Sequence, residues 1–81
     1  MKLIIVEDEK LAAERLKTLV KEYDPSIEVL TCLESVEETV QYLRHHAAPD
    51  LLLLDIHLSD GHSFEIFSQV HYKGPVIFKI G

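Results

Sequence analysis

The sequence predicts an α/β fold in which strands and helices alternate and the strands form one parallel sheet. Two short apolar runs, at residues 3–6 and 51–54, are bounded by polar residues, as is typical of strands buried on both faces of such a sheet. Segments with helical spacing of apolar residues separate the strand-like runs. Because strand–helix–strand crossovers are right-handed, the result is three layers, with helices on both faces of the sheet.

A strand, a helix and a second strand begin the chain. The apolar run at residues 3–6 predicts the first strand, and a helix is predicted from about residue 9 to residue 23. The apolar residues of this helix are Ala12, Leu16, Leu19, Val20 and Tyr23. Residues 24–26, Asp-Pro-Ser, break the helix. Residues 27–32 alternate in part, which predicts a strand near the edge of the sheet.

A capping-box pattern predicts the start of the second helix. In this pattern Ser35 and Glu38 each accept a hydrogen bond from the main-chain N–H group of the other. The apolar stripe of the helix consists of Val36, Val40, Leu43 and Ala47. Pro49 is expected to stop the helix, because a proline disfavours helical conformation in the residue before it.

The second half of the chain predicts two more strands and a short helix. Residues 50–56 give the strongest strand pattern, and residues 57–61 predict a loop with an Asp-Gly turn. A third helix is expected over residues 63–70. Its expected buried residues are Phe64 or Ile66, Phe67 and Val70. Residues 73–75, Lys-Gly-Pro, lead into a fourth strand at residues 76–78.

Composition and charge exclude several classes of protein. The 81 residues suffice for one small domain, and a hydrophobic content of 47% argues for a packed core. A net charge of −6 disfavours nucleic-acid binding by this segment. Cys32 is the only cysteine, so an intramolecular disulfide and a thiolate metal site are excluded. With no apolar run long enough for a signal peptide or a membrane span, we expect a soluble cytoplasmic domain.

Carboxylates follow two of the predicted strands. Glu7 and Asp8 come directly after the first strand, and Asp55 follows the four leucines of the third. The carboxyl ends of parallel strands share one edge of the sheet, where open α/β sheets bind ligands. Three acids that meet there repel one another unless a hard cation lies between them, and oxygen ligands select Mg²⁺ or a similar ion. These acids therefore predict a site for Mg²⁺ or a similar hard cation where the two strands end.

Simpler interpretations exist for the acids and for the histidines. Residues 7–9, Glu-Asp-Glu, are also what the dipole of a helix favours at its N-terminus. Asp55 weakens this interpretation, because an aspartate after four leucines has no propensity reason to be there. His45 and His46 suit a helix C-terminus, and the remaining histidines lack the spacing of a metal-binding pair. We therefore expect surface histidines and no zinc site.

The acids, taken with their neighbours, resemble a known family. Residues 4–9 (IIVEDE), residues 49–56 (PDLLLLDI) and residues 59–61 (SDG) together resemble the receiver domains of two-component response regulators. Residues 55–67 (DIHLSDGHSFEIF) are similar to the subgroup joined to a LytTR-type DNA-binding domain. The resemblance covers about residues 1–78 and implies a flavodoxin-like fold with strand order 2-1-3-4 for these four strands.

The resemblance implies roles for four residues. Asp55 matches the aspartate that accepts a phosphoryl group from a histidine kinase or a phosphotransfer protein. Asp8 matches the acid that binds Mg²⁺ directly, and Glu7 matches the neighbour that often acts through water. The main-chain carbonyl of His57 matches a third protein ligand. The implied function is phosphorelay signalling in a transcription-regulating parent protein, without enzymatic turnover.

The chain departs from the family pattern at its C-terminal end. Receivers carry a hydroxyl residue and then a small residue after the fourth strand, and these positions fall on Ile80 and Gly81. Ile80 cannot donate a hydrogen bond to a phosphoryl oxygen. The fourth helix, the fifth strand with its lysine, and the fifth helix have no counterpart, so residues 1–81 are predicted to be a partial receiver domain. Lys79 is expected to point away from the site and not to replace the family lysine.

Two alternatives to a phosphoryl-accepting receiver follow from the same residues. A truncated receiver without phosphotransfer would act only as a folding or oligomerising module. The fourth strand would then be an apolar edge strand, which predicts a homo-oligomer through this edge. A metal-dependent phosphohydrolase with an aspartyl nucleophile ranks last, because residues 55–57, Asp-Ile-His, lack the expected Asp-x-Asp.

Overall fold

The computed structural model describes residues 1–79 and has the predicted succession of strands and helices. The first elements are β1 (Lys2–Val6), α1 (Lys10–Tyr23), β2 (Glu28–Leu33), α2 (Val36–His45) and β3 (Leu51–Asp55). They are followed by β4 (His57–Leu58), β5 (Gly61–His62), a 3-10 turn (Ser63–Glu65), α3 (Ile66–Gln69) and β6 (Val76–Lys79). The short strands β4 and β5 pair with each other in antiparallel orientation, so part of the predicted loop is a small hairpin.

The four longer strands form one parallel sheet in the order β2-β1-β3-β6. Since β6 is the fourth strand of this sheet, the predicted order 2-1-3-4 is confirmed, and with it the three-layer flavodoxin-like fold. Strands β1 and β3 occupy the centre, with Val6 opposite Leu54. The residues that follow these two positions therefore emerge side by side at the carboxyl edge of the sheet.

The larger core lies between the sheet and the helices α2 and α3. Its buried residues are Ile4, Val6, Val36, Val40, Leu52, Leu54, Leu58 and Ile66. On the opposite face, α1 covers the sheet less completely, and Ala13 is its only buried residue. Leu19 and Tyr23, which the helical spacing assigns to the apolar face of α1, are 55% and 87% exposed. The two faces thus differ in how far their helices exclude water.

The start of α2 is confirmed, whereas its cap and its end differ from the prediction. Ser35 accepts a hydrogen bond from the main-chain N–H of Glu38 as expected, but the Glu38 carboxylate accepts one from Glu34 and not from Ser35. The helix ends at His45, well before Pro49, and Ala47 lies exposed outside it. The expected burial of Ala47 is therefore wrong, because the chain leaves helical conformation at His46.

The third helix is shorter than predicted. The 3-10 turn and the four-residue helix α3 end at Gln69, so Val70 lies outside the helix, and Ile66 is completely buried while Phe64 is 54% exposed. The sequence left open whether Phe64 or Ile66 is the buried residue, and it is Ile66, because the tight turn before α3 places this side chain against the sheet. No helix in residues 1–79 is both long and apolar enough to cross a membrane.

Candidate functional site

The three acids predicted to meet at the carboxyl edge of the sheet do lie together. Glu7 and Asp8 follow β1, and Asp55 is the last residue of the adjacent strand β3. One carboxylate oxygen from each of the three residues lies within 4.8 Å of the other two. We refer to Glu7, Asp8 and Asp55 as the acidic cluster. Its hard oxygen donors are the set that Mg²⁺ or a similar divalent cation prefers, so the residues fit such an ion.

Glu7 is the buried member of the cluster, with an exposed fraction of 2%. Lys79 Nζ donates a hydrogen bond to Glu7 Oε1 at 3.0 Å, and the Glu9 main-chain N–H donates one to Glu7 Oε2 at 3.2 Å. Burial raises the pKa of Glu7, but the hydrogen bonds from Lys79 and Glu9 together outweigh it and hold the pKa below its ordinary value. Glu7 is therefore a carboxylate near neutral pH.

The orientation predicted for Lys79 is wrong. Lys79 is paired with Asp55 in the register of β3 and β6, and its side chain reaches the carboxylate of Glu7. The alternation of side chains along a strand fixes where the Cβ atom points, but the flexible four-carbon stem can turn the ammonium at a strand end. The hydrogen bond with Glu7 raises the pKa of Lys79. Ile80 and Gly81, the predicted hydroxyl and small positions, lie outside the described residues.

Asp55 ends β3 in a half-buried position. The main-chain N–H of His57 donates a long hydrogen bond of 3.4 Å to Asp55 Oδ1. His57 itself is exposed on β4, and its ring lies edge-on to His62 with 5.0 Å between ring centroids. The hairpin thus holds His57 next to Asp55, and the use of the His57 carbonyl as a metal ligand stays a prediction.

Sequence reasoning missed the structural role of Asp60, which it assigned only to a turn. The Asp60 carboxylate accepts hydrogen bonds from the main-chain N–H groups of Val36 (2.8 Å) and Glu37 (3.0 Å) at the start of α2. These hydrogen bonds lower the pKa of Asp60, the one from Val36 most. They also attach the loop that follows Asp55 to the neighbouring helix. No local signal predicts this contact, because 24 residues separate Asp60 from Val36.

Two of the five histidines have the helix-terminal role that was expected. His45 Nδ1 lies 2.7 Å from the carbonyl oxygen of Gln41, and His46 Nδ1 lies 3.1 Å from that of Tyr42. Each histidine ring thus lies within hydrogen-bond distance of a carbonyl oxygen near the end of α2, and the Tyr42 carbonyl also accepts from the main-chain N–H of His46. Among residues 1–79, the acidic cluster is the one group of three or more potential metal ligands.

Comparison with known proteins agrees with this geometry. Residues 3–79 match the response regulator receiver domain family, and the chain belongs to this family. The sensory transduction protein LytT of Enterococcus faecalis is 39% identical over 79 residues, which are 95% of this chain and 32% of that protein. LytT of Bacillus cereus is 38% identical over 66 residues, which are 82% of this chain and 26% of that protein. The chain thus spans about a third or less of the curated relatives it matches.

Solved structures show the same relationship in three dimensions. The response regulator PhyR from Brucella abortus superposes with a TM-score of 0.78 at 28% identity, covering 95% of this chain and 32% of that one. A mutant of the response regulator MaeR bound to sulfate superposes with a TM-score of 0.84 at 18% identity, covering 99% of this chain and 66% of that one. The second likeness concerns the fold alone.

Proposed function

We propose that this chain accepts a phosphoryl group on Asp55 from a histidine kinase or a phosphotransfer protein, within a longer cytoplasmic protein that regulates transcription. The observation that carries the proposal is the convergence of Glu7, Asp8 and Asp55 at the carboxyl edge of the sheet. The LytT relatives support a signalling role by their description as sensory transduction proteins. The net charge of −6 argues against nucleic-acid binding by this segment itself.

In the proposed transfer, a carboxylate oxygen of Asp55 attacks the phosphorus atom of a phosphohistidine. The new P–O bond forms as the P–N bond breaks, and the leaving imidazole nitrogen keeps the electron pair of that bond and takes up a proton. The product is an aspartyl phosphate, which is a mixed anhydride. Because the chain itself is modified and no substrate is turned over, we propose an acceptor and not an enzyme.

The residues proposed to hold Mg²⁺ are Asp8, Asp55 and the main-chain carbonyl of His57, with Glu7 acting through water. When bound, the ion neutralises the anionic groups that the transfer brings together and orients the phosphoryl oxygens. The acidic cluster explains the need for it, since three neighbouring carboxylates repel an incoming phosphoryl group and Lys79 offsets only one of their charges.

Phosphorylation is tested by intact-mass measurement after incubation with acetyl phosphate and Mg²⁺. We expect the mass of one phosphoryl group on the wild-type chain and none on Asp55→Asn. Asp24→Asn is the matched control, because Asp24 is an acid at the other end of α1, away from the cluster, and it should be modified like the wild type. An adduct that persists in folded Asp55→Asn would overturn the proposal.

The position of β6 at the end of the four-stranded sheet favours a second candidate function, an oligomerising module. Within residues 1–79, β6 pairs only with β3, and Ile77 on it is 51% exposed. An edge strand presents unpaired N–H and C=O groups that can pair with another chain. We propose a homo-oligomer in which β6 edges meet.

Association is measured by light scattering. We expect a dimer or larger species for the wild type and a monomer for Ile77→Lys, because a charge on the edge opposes pairing. Leu11→Lys is the control, since Leu11 is 74% exposed on α1 and should leave association unchanged. A wild-type chain that stays monomeric at high concentration would contradict the module.

A further inference from the structure

The ion pair between Lys79 and Glu7 differs from an ordinary surface pair. Two salt bridges form within residues 1–79, and the other, Lys17 with Glu14, joins side chains that are 48% and 65% exposed at 4.0 Å. In the pair at the acidic cluster, the side chain of Lys79 is 29% exposed and that of Glu7 is 2% exposed, at 3.0 Å. A buried carboxylate needs a partner for its charge, and Lys79 supplies one from the opposite side of β3.

Both carboxylate oxygens of Glu7 are already engaged. Oε1 accepts from the Lys79 ammonium, and Oε2 accepts from the main-chain N–H of Glu9. Within residues 1–79, Asp55 accepts only the long 3.4 Å hydrogen bond from His57. The members of the cluster are therefore unequal as ligands, because Lys79 already neutralises the charge of Glu7 whereas Asp55 forms no ion pair in the described part of the chain.

We propose that Lys79 is an internal counterion that removes Glu7 from direct metal coordination and sets the affinity of the acidic cluster for a divalent cation. This inference rests on the proposed metal site. The Lys79–Glu7 pair has no net charge, so the ion is attracted by Asp8 and Asp55 and not by the pair. Removing one member of the pair should then change the affinity in a direction given by the charge that is left behind.

The test compares Mg²⁺ binding by the wild type, Lys79→Met, Glu7→Gln and the double variant, measured by isothermal titration calorimetry. Lys79→Met leaves an unpaired carboxylate and should bind about tenfold more tightly, and Glu7→Gln leaves an unpaired ammonium and should bind about tenfold more weakly. The double variant replaces a neutral pair by two neutral side chains of similar shape. We expect its affinity to match that of the wild type within about twofold.

Lys79→Met could fail to fold, because it leaves the buried Glu7 carboxylate unpaired. The double variant still tests the inference, because it replaces both charged side chains and so buries no charge. If Glu7 is a direct ligand and Lys79 a bystander, the double variant loses a ligand and binds at least about tenfold more weakly than the wild type, which would overturn the inference. Thermal melting confirms that each variant is folded. A folded wild type that binds no Mg²⁺ would overturn the proposed metal site together with this inference, whereas weak binding by the double variant alone overturns only the inference.

Discussion

The two faces of the sheet are built from equally apolar residues but are buried to different extents. Within the leucine run of β3, Leu52 and Leu54 are completely buried under α2 and α3, whereas Leu51 and Leu53 are half-buried on the face of α1. Successive residues of a strand point to opposite faces, so one run of leucines samples both environments. Hydrophobicity thus does not decide burial within β3. The buried strand residues on the face of α1 belong to β1, the strand that α1 contacts.

This difference has an energetic consequence. Burial of apolar area stabilises the folded state by about 25 cal/mol per Å² removed from water, so the face under α2 and α3 supplies more of the stability than the face under α1. The residues that hold α2 and α3 in place should therefore be more sensitive to substitution. Substitutions that compare the two faces test this inequality most directly.

Truncation of a core residue on the covered face should give the largest loss. Ile66 is completely buried, so Ile66→Ala should lower the free energy of unfolding by about 2–5 kcal/mol. Leu19→Ala on α1 is the matched control, and it should cost less than about 1 kcal/mol because Leu19 is 55% exposed. Urea denaturation followed by circular dichroism measures both. Equal losses would mean that the two faces contribute equally.

Loss of the Asp60 hydrogen bonds should give an intermediate effect. Asp60→Ala removes the two carboxylate oxygens that accept from the main-chain N–H groups of Val36 and Glu37, and it should lower the free energy of unfolding by about 1–2 kcal/mol. Asp60→Asn keeps one acceptor oxygen and should lose less. Ser59→Ala, at the exposed neighbouring position, serves as the control in the same urea titration. If Asp60→Ala behaves like this control, the contact does not anchor α2.

Acidification should lower the free energy of unfolding, with the smallest effect of the three tests near neutral pH. The direction of the change follows from the lowered pKa values of Glu7 and Asp60. In the unfolded chain these groups return to about 4.5 and 3.8, so the unfolded state binds more protons at acidic pH. Their contribution to stability is fully present above those values and is lost as the pH falls through the lower folded-state values. We expect urea midpoints that are flat from about pH 6 to 7 and fall below about pH 5.

Glu7→Gln and Asp60→Asn each remove one titrating group, so each variant should show a shallower acid decline than the wild type. The control is Glu14→Gln, since the Glu14 side chain is 65% exposed in a long surface pair. A decline of unchanged steepness in both variants would assign the acid sensitivity to other carboxyl groups.

Much of the fold could be predicted because it follows from local periodicity and a general rule of topology. The two buried strands and the spacing in α1 and α2 gave the element order, and the right-handed crossover then implied a parallel sheet. The proximity of Glu7, Asp8 and Asp55 followed from the same rule, because adjacent parallel strands end at one edge. These features depend on residues close together in the chain, or on constraints that all such sheets share.

The features that could not be predicted depend on which distant groups meet. The direction of the Lys79 side chain was predicted wrongly, because the alternation of side chains along a strand does not include the ion pair with the buried Glu7 carboxylate, 72 residues away. The end of α2 was expected at Pro49 but lies at His45, because a proline limits how far a helix can extend and does not decide how far before it the helix ends. The exposure of Leu19 and Tyr23 depends on how completely other elements cover the α1 face of the sheet, which helical spacing alone does not reveal.

The sequence by itself determined the order of the elements, the parallel sheet and the edge at which the three acids gather, since these rest on periodicity and chirality. Tertiary structure alone decided that Lys79 neutralises Glu7, that Asp60 caps α2, and that one face of the sheet is better buried than the other. Each of these depends on long-range contacts, whose energy is gained only after the chain has folded and whose partners no local pattern specifies.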